Sequence, residues 1–400
     1  MPHKSRLFSQ IKIRGITIPN RIVISPMCQY SANDGYLELW HTIHLGRLVM
    51  GGAGLIFTEA TAVHKDGRIT HGCPGLWENG QISNHAAITS FAKAHGCIPA
   101  IQLAHAGRKA GMQRPWYGNS FLAEADFARG DLPWSCYGPS AIPVDKGWPV
   151  PQEMTKADIL NLIEDFAASA KRALQAGYDA LEVHGAHGYL LHSFLSPLSN
   201  QRNDAYGGSL KNRMRLPLEV TEAVRIAWPD HLPLFFRVSA VDGTAGGWQL
   251  DDTLLLAKEL KKLGVDVIDC SSGGIAGSAT AANVDKRQPG FQVPYAASVR
   301  EQANIKTMSV GLITHPLQAE DILQAGDADI IAMARELLWN ADWPAHAAEA
   351  LGVDDPFSYL PTGYAHRLRL REAQKTMDIN QDQNIIAKSL RYFLDDSTSS

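Results

Sequence analysis

Eight short apolar runs alternate with amphipathic stretches along most of the chain, and this alternation limits the fold more than any other feature. Short apolar runs bounded by turn residues predict buried strands. They occupy residues 21–27, 54–58, 98–103, 178–183, 234–238, 265–270, 307–310 and 330–333. Strands that alternate with helices form parallel sheets, and eight of them can close on themselves. The pattern therefore predicts an α/β fold of the (β/α)8 TIM-barrel class.

The stretches between these runs have the apolar spacing that is typical of amphipathic helices. Ser83 and Thr155 stand where helix N-caps are expected. The predicted helices cover residues 84–95, 156–176, 209–227, 250–263, 296–302 and 316–324. No Gly-x-Gly-x-x-Gly sequence follows the first strand, which counts against an open dinucleotide-binding sheet.

Three segments fall outside the barrel repeat. Residues 7–20 alternate apolar and polar side chains around Gly15 and Pro19, which predicts a small N-terminal hairpin. Residues 111–153, after the third strand, are rich in Pro, Trp, Tyr and Gly, and so long a loop is typical of a lid. We expect one barrel domain over residues 1–354 and a C-terminal extension over 355–400. In the extension we expect a further helix at 380–394 and a disordered end.

The composition is that of a soluble globular protein, with 45% hydrophobic and 20% charged residues. A net charge of −4 without a basic block argues against a nucleic-acid partner, and no run is long enough for a membrane helix. The polar N-terminus does not have the pattern of a secretory signal. Five cysteines without Cys-x-x-Cys spacing indicate neither a disulfide framework nor a zinc site. These features predict a cytoplasmic protein.

The fourth run leads directly into two histidines, two glycines and a tyrosine. If the chain formed a helical turn after the strand, His184 and His187 would share one face and could donate to one oxygen atom. Tyr189 adds a phenol whose ordinary pKa is near ~10. This set suits a site that polarises a carbonyl group and delivers a proton. Two packed histidines in a glycine-rich loop and a His-x-x-His metal site are the alternatives.

Polar or reactive residues recur at the ends of the predicted strands, where barrel enzymes keep their active sites. They occupy residues 25–30, 58–61, 102–108, 184–189, 237–239, 271–274, 311–312 and 334–336. Gly311 and Arg335 follow the seventh and eighth strands, and a glycine turn with an arginine predicts a phosphate site. An ion pair of Arg335 with Glu336 is the alternative.

Five motifs stand in a fixed order along the chain. They are Ser-Pro-Met-Cys-Gln-Tyr-Ser from residue 25, Glu-Ala-Thr-Ala-Val from 59, Ile-Gln-Leu-Ala-His-Ala-Gly-Arg-Lys from 101, His-Gly-Ala-His-Gly-Tyr-Leu from 184 and Asn-Gln-Arg-Asn-Asp-Ala-Tyr-Gly-Gly-Ser-Leu from 200. Together they resemble the old yellow enzyme family, most closely its bacterial xenobiotic-reductase (thermophilic-like) branch. The resemblance implies an FMN-containing ene-reductase on a single barrel, with NADPH or NADH as the electron donor.

The resemblance also implies which residues bind the cofactor. Gln102 would meet the pyrimidine edge of the flavin, and Arg237 would stabilise negative charge near N1 and O2. Cys28 would tune the flavin potential. The full set implied for FMN is Ser25, Pro26, Met27, Cys28, Ala60, Gln102, Arg237, Gly311, Ala334 and Arg335.

For the substrate, the resemblance implies an enone-type molecule whose oxygen is bound by His184 and His187, with Tyr30 on its other side. Tyr189 would protonate the α-carbon after hydride transfer from flavin N5. The family forms homo-oligomers in which the tail reaches a neighbouring subunit's site, but Arg367 stands where the family pattern has Trp.

Two other functions stay open on the sequence. One is a metal-dependent barrel hydrolase or aldolase that uses the two histidines, and the other is a non-catalytic flavin-binding barrel.

Overall fold

All eight predicted runs are strands in the computed structural model, which describes residues 5–277 and 287–374. The bounds differ from the predicted ones by a few residues. In chain order, the strands of the described part are β1 (Ile11–Ile13), β2 (Ile16–Ile18), β3 (Ile22–Ile24), β4 (Leu55–Ala62), β5 (Ile98–Ala104), β6 (Tyr137–Gly138), β7 (Gln152–Glu153), β8 (Ala180–Gly185), β9 (Leu234–Ser239), β10 (Val267–Ser271), β11 (Lys306–Ser309) and β12 (Ile330–Met333).

Eight of these strands close into a barrel in which each neighbouring pair is parallel. The order around the barrel is β3, β4, β5, β8, β9, β10, β11, β12 and back to β3. The strands are buried along nearly their whole length, because helices cover the outside and side chains fill the inside. The predicted (β/α)8 barrel is confirmed.

Helices follow the barrel strands, and the predicted helices are confirmed with small shifts of their ends. In chain order they are α1 (Leu39–Met50), α2 (Ile82–Ala94), α3 (Glu124–Ala128), α4 (Lys156–Gln175), α5 (Leu190–Leu195), α6 (Leu210–Ala227), α7 (Leu250–Lys262), α8 (Val293–Ala303), α9 (Pro316–Ala325), α10 (Arg335–Trp339) and α11 (Trp343–Ala350).

One predicted N-cap is confirmed and one is wrong. The Thr155 hydroxyl accepts a hydrogen bond from the backbone N–H of Asp158 at 3.2 Å and caps α4. Ser83 does not cap α2, because a single 3₁₀ turn at Asn79–Gln81 leads directly into the helix and makes Gln81 its N-cap.

The apolar pattern of the sequence does not predict α1. Its apolar side chains Leu39 and Ile43 are 71% and 61% exposed, whereas the polar His41 is fully buried against Glu59 at 3.5 Å. The first part of the helix therefore departs from the amphipathic pattern on which such predictions depend, whereas the apolar side chains of its later turns are buried in the core.

The N-terminal end of the barrel is an apolar floor. Residues 11–13 and 16–18 form the predicted antiparallel hairpin, β1 with β2. Its isoleucines pack on the side chains that point into this end of the barrel, and Phe57 meets Phe235 edge to face with ring centroids 5.6 Å apart. The buried residues of this floor are Ile11, Ile13, Ile18, Val23, Leu55, Phe57, Ala100, Ala180, Phe235, Val267, Met308 and Ile330.

The segment 111–153 is more ordered than a plain loop, since it contains α3 and the paired strands β6 and β7. Asp126 is buried within it and accepts hydrogen bonds from Gln113 Nε2 at 2.7 Å and from the Ala123 N–H at 2.8 Å. Arg202 holds the C-terminal part of this segment by donating hydrogen bonds to the carbonyl oxygens of Pro139 and Met154.

The C-terminal extension begins with a helix over residues 362–374. Within it Ala365 is buried, Arg367 is exposed, and Arg369 forms an ion pair with Asp355 at 2.6 Å. The predicted helix at 380–394 and the predicted disordered end lie outside the described residues.

Candidate active site

The two histidines come together at the end of β8, but not through a helical turn. His184 lies on the strand, and His187 follows in a turn with a left-handed backbone, φ +62°. That conformation is uncommon for a residue with a side chain. The expectation of a helical turn was wrong, because α5 begins only at Leu190. The rings nevertheless meet edge to face, with centroids 5.2 Å apart.

A buried lysine holds this turn. Lys109 Nζ donates to the carbonyl oxygens of His187, at 2.8 Å, and of Gly274. Gly188 and Gly274 are needed here because the two loops touch: a Cβ on Gly188 would lie 2.3 Å from the Gly274 oxygen. Burial lowers the pKa of Lys109 to about 7, with the charge of Arg108 acting in the same direction. No role was predicted for Lys109 from the sequence, although it ends the third motif and follows a predicted strand.

The surroundings of each imidazole set its hydrogen-bonding role. His184 Nδ1 accepts from the backbone N–H of Ala186 at 3.3 Å, so its proton lies on Nε2. His187 Nε2 is hydrogen-bonded to the Ser271 hydroxyl at 2.7 Å, and its backbone N–H donates to the Ser239 hydroxyl. Burial and the charge of Arg237 lower the pKa of both histidines well below the ordinary value, which keeps both rings neutral.

Tyr189 and Tyr30 belong to one apolar cluster with Ala60 and Cys28 at the barrel mouth. The Tyr189 ring lies 5.1 Å from that of His184, and burial raises the phenol's pKa well above its ordinary value. Tyr30 has a left-handed backbone, φ +53°, and burial raises the pKa of its phenol too. Both phenols therefore stay protonated.

The segment 111–153 lies against this cluster, since Met112 and Trp148 pack into it and Trp116 meets the Tyr30 ring at 5.8 Å.

Four polar side chains form a layer inside the barrel, directly above the apolar floor. Gln102 Nε2 donates to Glu182 Oε1 at 2.7 Å, and Arg237 Nε lies 3.2 Å from Asp269 Oδ2. Burial and the Asp269 carboxylate raise the pKa of Glu182, and burial raises that of Asp269 against the opposing effect of Arg237. The sequence analysis identified Gln102 and Arg237 but missed both carboxyls. Charged residues in the middle of two apolar runs were the available signal.

The ends of β11 and β12 enclose a cavity of about 310 Å³. Gly311, with φ +123°, Ala334 and Arg335 line it, together with residues 310–314 and 332–336 generally. Burial, together with the charge of Arg335, lowers the pKa of Arg287, so the two cations interact. A cavity lined by an arginine suits an anion. Arg287 was not identified from the sequence, since it falls within no motif.

The first strand's motif runs along the mouth between these two regions. The buried Ser25 donates its backbone N–H to the Met333 oxygen at 2.9 Å and so joins the motif to β12. Met27 packs on the main core, and Cys28 faces the Tyr189 cluster. Burial raises the pKa of the Cys28 thiol, which stays neutral. Pro26 lies between them, partly exposed.

A flavin nucleotide fits these donors and this space. None of the hydrogen bonds of the described residues uses the Arg237 guanidinium, and its buried Nε is only ion-paired with Asp269. Such a cation is suited to the negative charge of a reduced ring. The cavity beside Arg335 has the position of the barrel phosphate site, after the seventh and eighth strands. The fold and the site thus define a barrel that binds a flavin nucleotide and acts on a second molecule at its mouth.

Comparison with known proteins agrees with this class. The NADH:flavin oxidoreductase / NADH oxidase family matches residues 6–353, and the chain belongs to that family. It is 46% identical to an NADPH dehydrogenase of Geobacillus sp. (strain WCH70) over 352 residues, which is 88% of this chain and 96% of that protein. An NADPH dehydrogenase of Bacillus licheniformis is 45% identical over 358 residues, 88% of this chain and 98% of the other. The solved structure of morphinone reductase shares the fold, with a TM-score of 0.72 at 23% identity over 86% of this chain and 90% of that one.

The chain is therefore an FMN-dependent NAD(P)H oxidoreductase of old yellow enzyme type. Among the described residues, no group of three or more His, Cys, Asp or Glu side chains is placed to hold a metal ion. None of the helices in the described ranges is long and apolar enough to cross a membrane.

Proposed function

We propose that this oxidoreductase reduces the C=C bond of α,β-unsaturated carbonyl compounds and related activated alkenes. His184 and His187 bind the oxygen of the substrate, Tyr30 lies on its other side, and Tyr189 donates a proton to the α-carbon. The observation that carries the proposal is the convergence of two neutral imidazoles and one protonated phenol, with ring centroids 5.1 to 6.4 Å apart.

The cofactor would be held by the residues at the ends of the barrel strands. Gln102 binds the pyrimidine edge, Arg237 stabilises negative charge near N1 and O2, and Cys28 modulates the potential. When bound, FMN would supply the hydride chemistry that links NAD(P)H to the β-carbon of the alkene. The other proposed FMN-binding residues are Ser25, Pro26, Met27, Ala60, Gly311, Ala334 and Arg335.

Neutral imidazoles are the suitable donors for this reaction. Negative charge grows on the carbonyl oxygen as the hydride reaches the β-carbon, and donors held in place stabilise that charge without reorganising. Burial and Arg237 together keep both histidines uncharged, so they act as hydrogen-bond donors and not as acids. His184, with Nδ1 already accepting from the Ala186 N–H, presents Nε2–H to the substrate.

Tyr189 supplies the proton because its phenol is protonated and its ring lies against those of both histidines. The raised pKa means that the phenol holds its proton across the physiological range, and transfer occurs only to a carbon that has become strongly basic. Trp148 and Met112 pack in the same cluster and limit the access of water to that proton.

Tyr189→Phe tests the proposal. Under anaerobic conditions, we expect oxidation of the reduced enzyme by a cyclic enone to slow by about 10²-fold or more, whereas its reduction by NADPH changes little. Stopped-flow absorbance of the flavin measures both steps. Tyr295→Phe, a partly exposed position on α8 away from the barrel mouth, is the matched control. Equal slowing of both steps in Tyr189→Phe would contradict the role of Tyr189 as the acid.

A further inference from the structure

The inward-facing side chains of β8, β9 and β10 become more polar from the floor to the mouth. On β8 they are Ala180, Glu182 and His184, in that order, and on β10 they are Val267, Asp269 and Ser271. Glu182 and Asp269 are both fully buried. They lie one layer below the histidines, on the strands either side of β9.

The layer of Gln102, Glu182, Arg237 and Asp269 has fewer hydrogen-bond donors than its carboxyl oxygens could use. Gln102 donates to Glu182 Oε1, so that oxygen is an acceptor. Glu182 Oε2 and both oxygens of Asp269 have no hydrogen-bond partner among the described residues, although all three are buried. Arg237 Nε lies 3.2 Å from Asp269 Oδ2 as an ion pair, without hydrogen-bond alignment. A single proton on Glu182 Oε2 would supply the missing donor.

We propose that Glu182 is protonated and Asp269 ionised, and that Asp269 alone offsets the charge of Arg237 beneath the flavin. Glu182 is then a positioning residue for Gln102, because its carbonyl oxygen orients the Gln102 amide. Asp269 acts on the flavin through Arg237. The proposal rests on the position of Gln102 and Arg237 against FMN, and not on which alkene is reduced.

This arrangement has an electrostatic consequence. Glu182 and Asp269 lie on the strands either side of β9, and the charge of Asp269 acts to raise the pKa of Glu182. Two buried carboxylates that interact in this way repel each other, so one of them keeps a proton. With one proton, the layer contains one positive and one negative charge and is neutral overall. Removing the negative charge would leave Arg237 uncompensated in a medium of low dielectric constant, and reduced FMN would be stabilised. Asp269 therefore holds the reduction potential of the flavin lower than Arg237 alone would set it.

The experiment measures the FMN reduction potential of the holoenzyme against a reference dye. Glu182→Gln mimics the protonated acid, since its amide can accept from Gln102 and donate to Asp269. We expect it to change the equilibrium between oxidised and reduced flavin less than about threefold. Asp269→Asn is then added to Glu182→Gln, because a remaining Glu182 could ionise in its place. We expect this second change to favour reduced flavin by about tenfold or more, about 30 mV for two electrons.

Two further variants separate the charge effect from other disturbances. Ser309→Ala removes a buried hydroxyl on the neighbouring strand β11 that has no hydrogen-bond partner among the described residues. We expect this variant to leave the reduction potential unchanged. Arg237→Gln is expected to lower the potential, which checks that the layer acts on the flavin. The infrared carbonyl band of a protonated carboxyl, present in the parent protein and absent in Glu182→Gln, provides a second measurement that does not depend on FMN binding by the double variant.

A shift of more than about threefold in Glu182→Gln overturns the proposal, because it would mean that Glu182 carries charge. So does an unchanged infrared spectrum, or an FMN-bound double variant with the potential of Glu182→Gln. A protein that holds FMN but reduces no alkene would refute the proposed function and still give a readable potential.

Discussion

The two ends of the barrel are built from the same strands but have opposite character. At the floor, Phe57, Phe235 and Val267 pack with the isoleucines of the hairpin in one apolar cluster. At the mouth, His184 and Arg237 lie among polar groups, several of which have no partner among the described residues. Buried polar groups cost stability unless they are paired, whereas buried apolar ones contribute to it.

Stability and chemistry are therefore separated along the length of each strand. The floor gains from close packing, and a ligand has no access to it. At the mouth, hydrogen-bond donors of the described residues stay unpaired until a cofactor or a substrate binds, and this lowers the stability of the protein. Changes at the two ends should therefore affect different measurements.

The largest effect is expected at the mouth. In His184→Ala/His187→Ala, both donors to the substrate oxygen are lost, and we expect enone reduction to fall by about 10⁴-fold or more, since each donor contributes roughly 10²–10³. FMN binding and its reduction by NADPH should persist. Anaerobic steady-state and stopped-flow rates measure this, with His346→Ala on the exposed face of α11 as the control. Retained enone reduction would remove both histidines from the mechanism.

At the floor, Phe235→Ala should have the reverse profile. The substitution leaves a cavity beside Phe57, and we expect the free energy of unfolding to fall by about 3–5 kcal/mol. Urea unfolding at a fixed FMN concentration measures it, and Phe127→Ala, 40% exposed in the segment 111–153, is the control. A folded Phe235→Ala enzyme whose enone rate falls as far as that of the histidine variant would contradict the separation of the two ends.

A smaller effect, on how stability changes with pH, is expected at Lys109. This residue is at the mouth, but its substitution should be seen in the free energy of unfolding. Its pKa is lowered to about 7 in the folded protein, whereas an unfolded lysine titrates near ~10.4. Between these values the unfolded state binds more protons, so this lysine makes stability rise as the pH increases from about 7 to 10. We expect Lys109→Met to remove that part of the rise.

The measurement for Lys109 is urea unfolding at several pH values from 7 to 10. Lys258→Met, an exposed position on α7, should keep the slope of the parent protein. An identical slope in Lys109→Met and the parent would show that Lys109 keeps an ordinary pKa.

The smallest effect is expected from the tail. We propose that the segment 364–368 reaches the site of a neighbouring subunit in a homo-oligomer. Truncation before Tyr364 should then change KM for bulky alkenes by roughly tenfold or less, with NADPH oxidation unchanged. Steady-state kinetics and the oligomeric state measured by light scattering check this. An intact oligomer with unchanged kinetics would refute it.

The barrel was predictable because its signal is local. Short apolar runs at regular intervals identify strands wherever burial on both faces is required, and Thr155 capped α4 as its position indicated. The failures have a physical cause as well. At the start of α1 the exposed Leu39 and the buried His41 reverse the usual pattern, and the contact of His41 with Glu59 that accounts for this is visible only in the folded structure.

The sequence by itself determined the class of fold, through the eight apolar runs that alternate with helices. It also determined which residues stand at the strand ends, among them the candidates Gln102, Arg237 and Tyr189. Only the tertiary structure decided how they meet. The left-handed turn at His187 and the Lys109 clamp depend on a loop that lies 165 residues away in sequence from Lys109. Hydrophobic periodicity is a property of neighbouring residues, whereas hydrogen bonds and charge interactions depend on distances that chain closure alone sets.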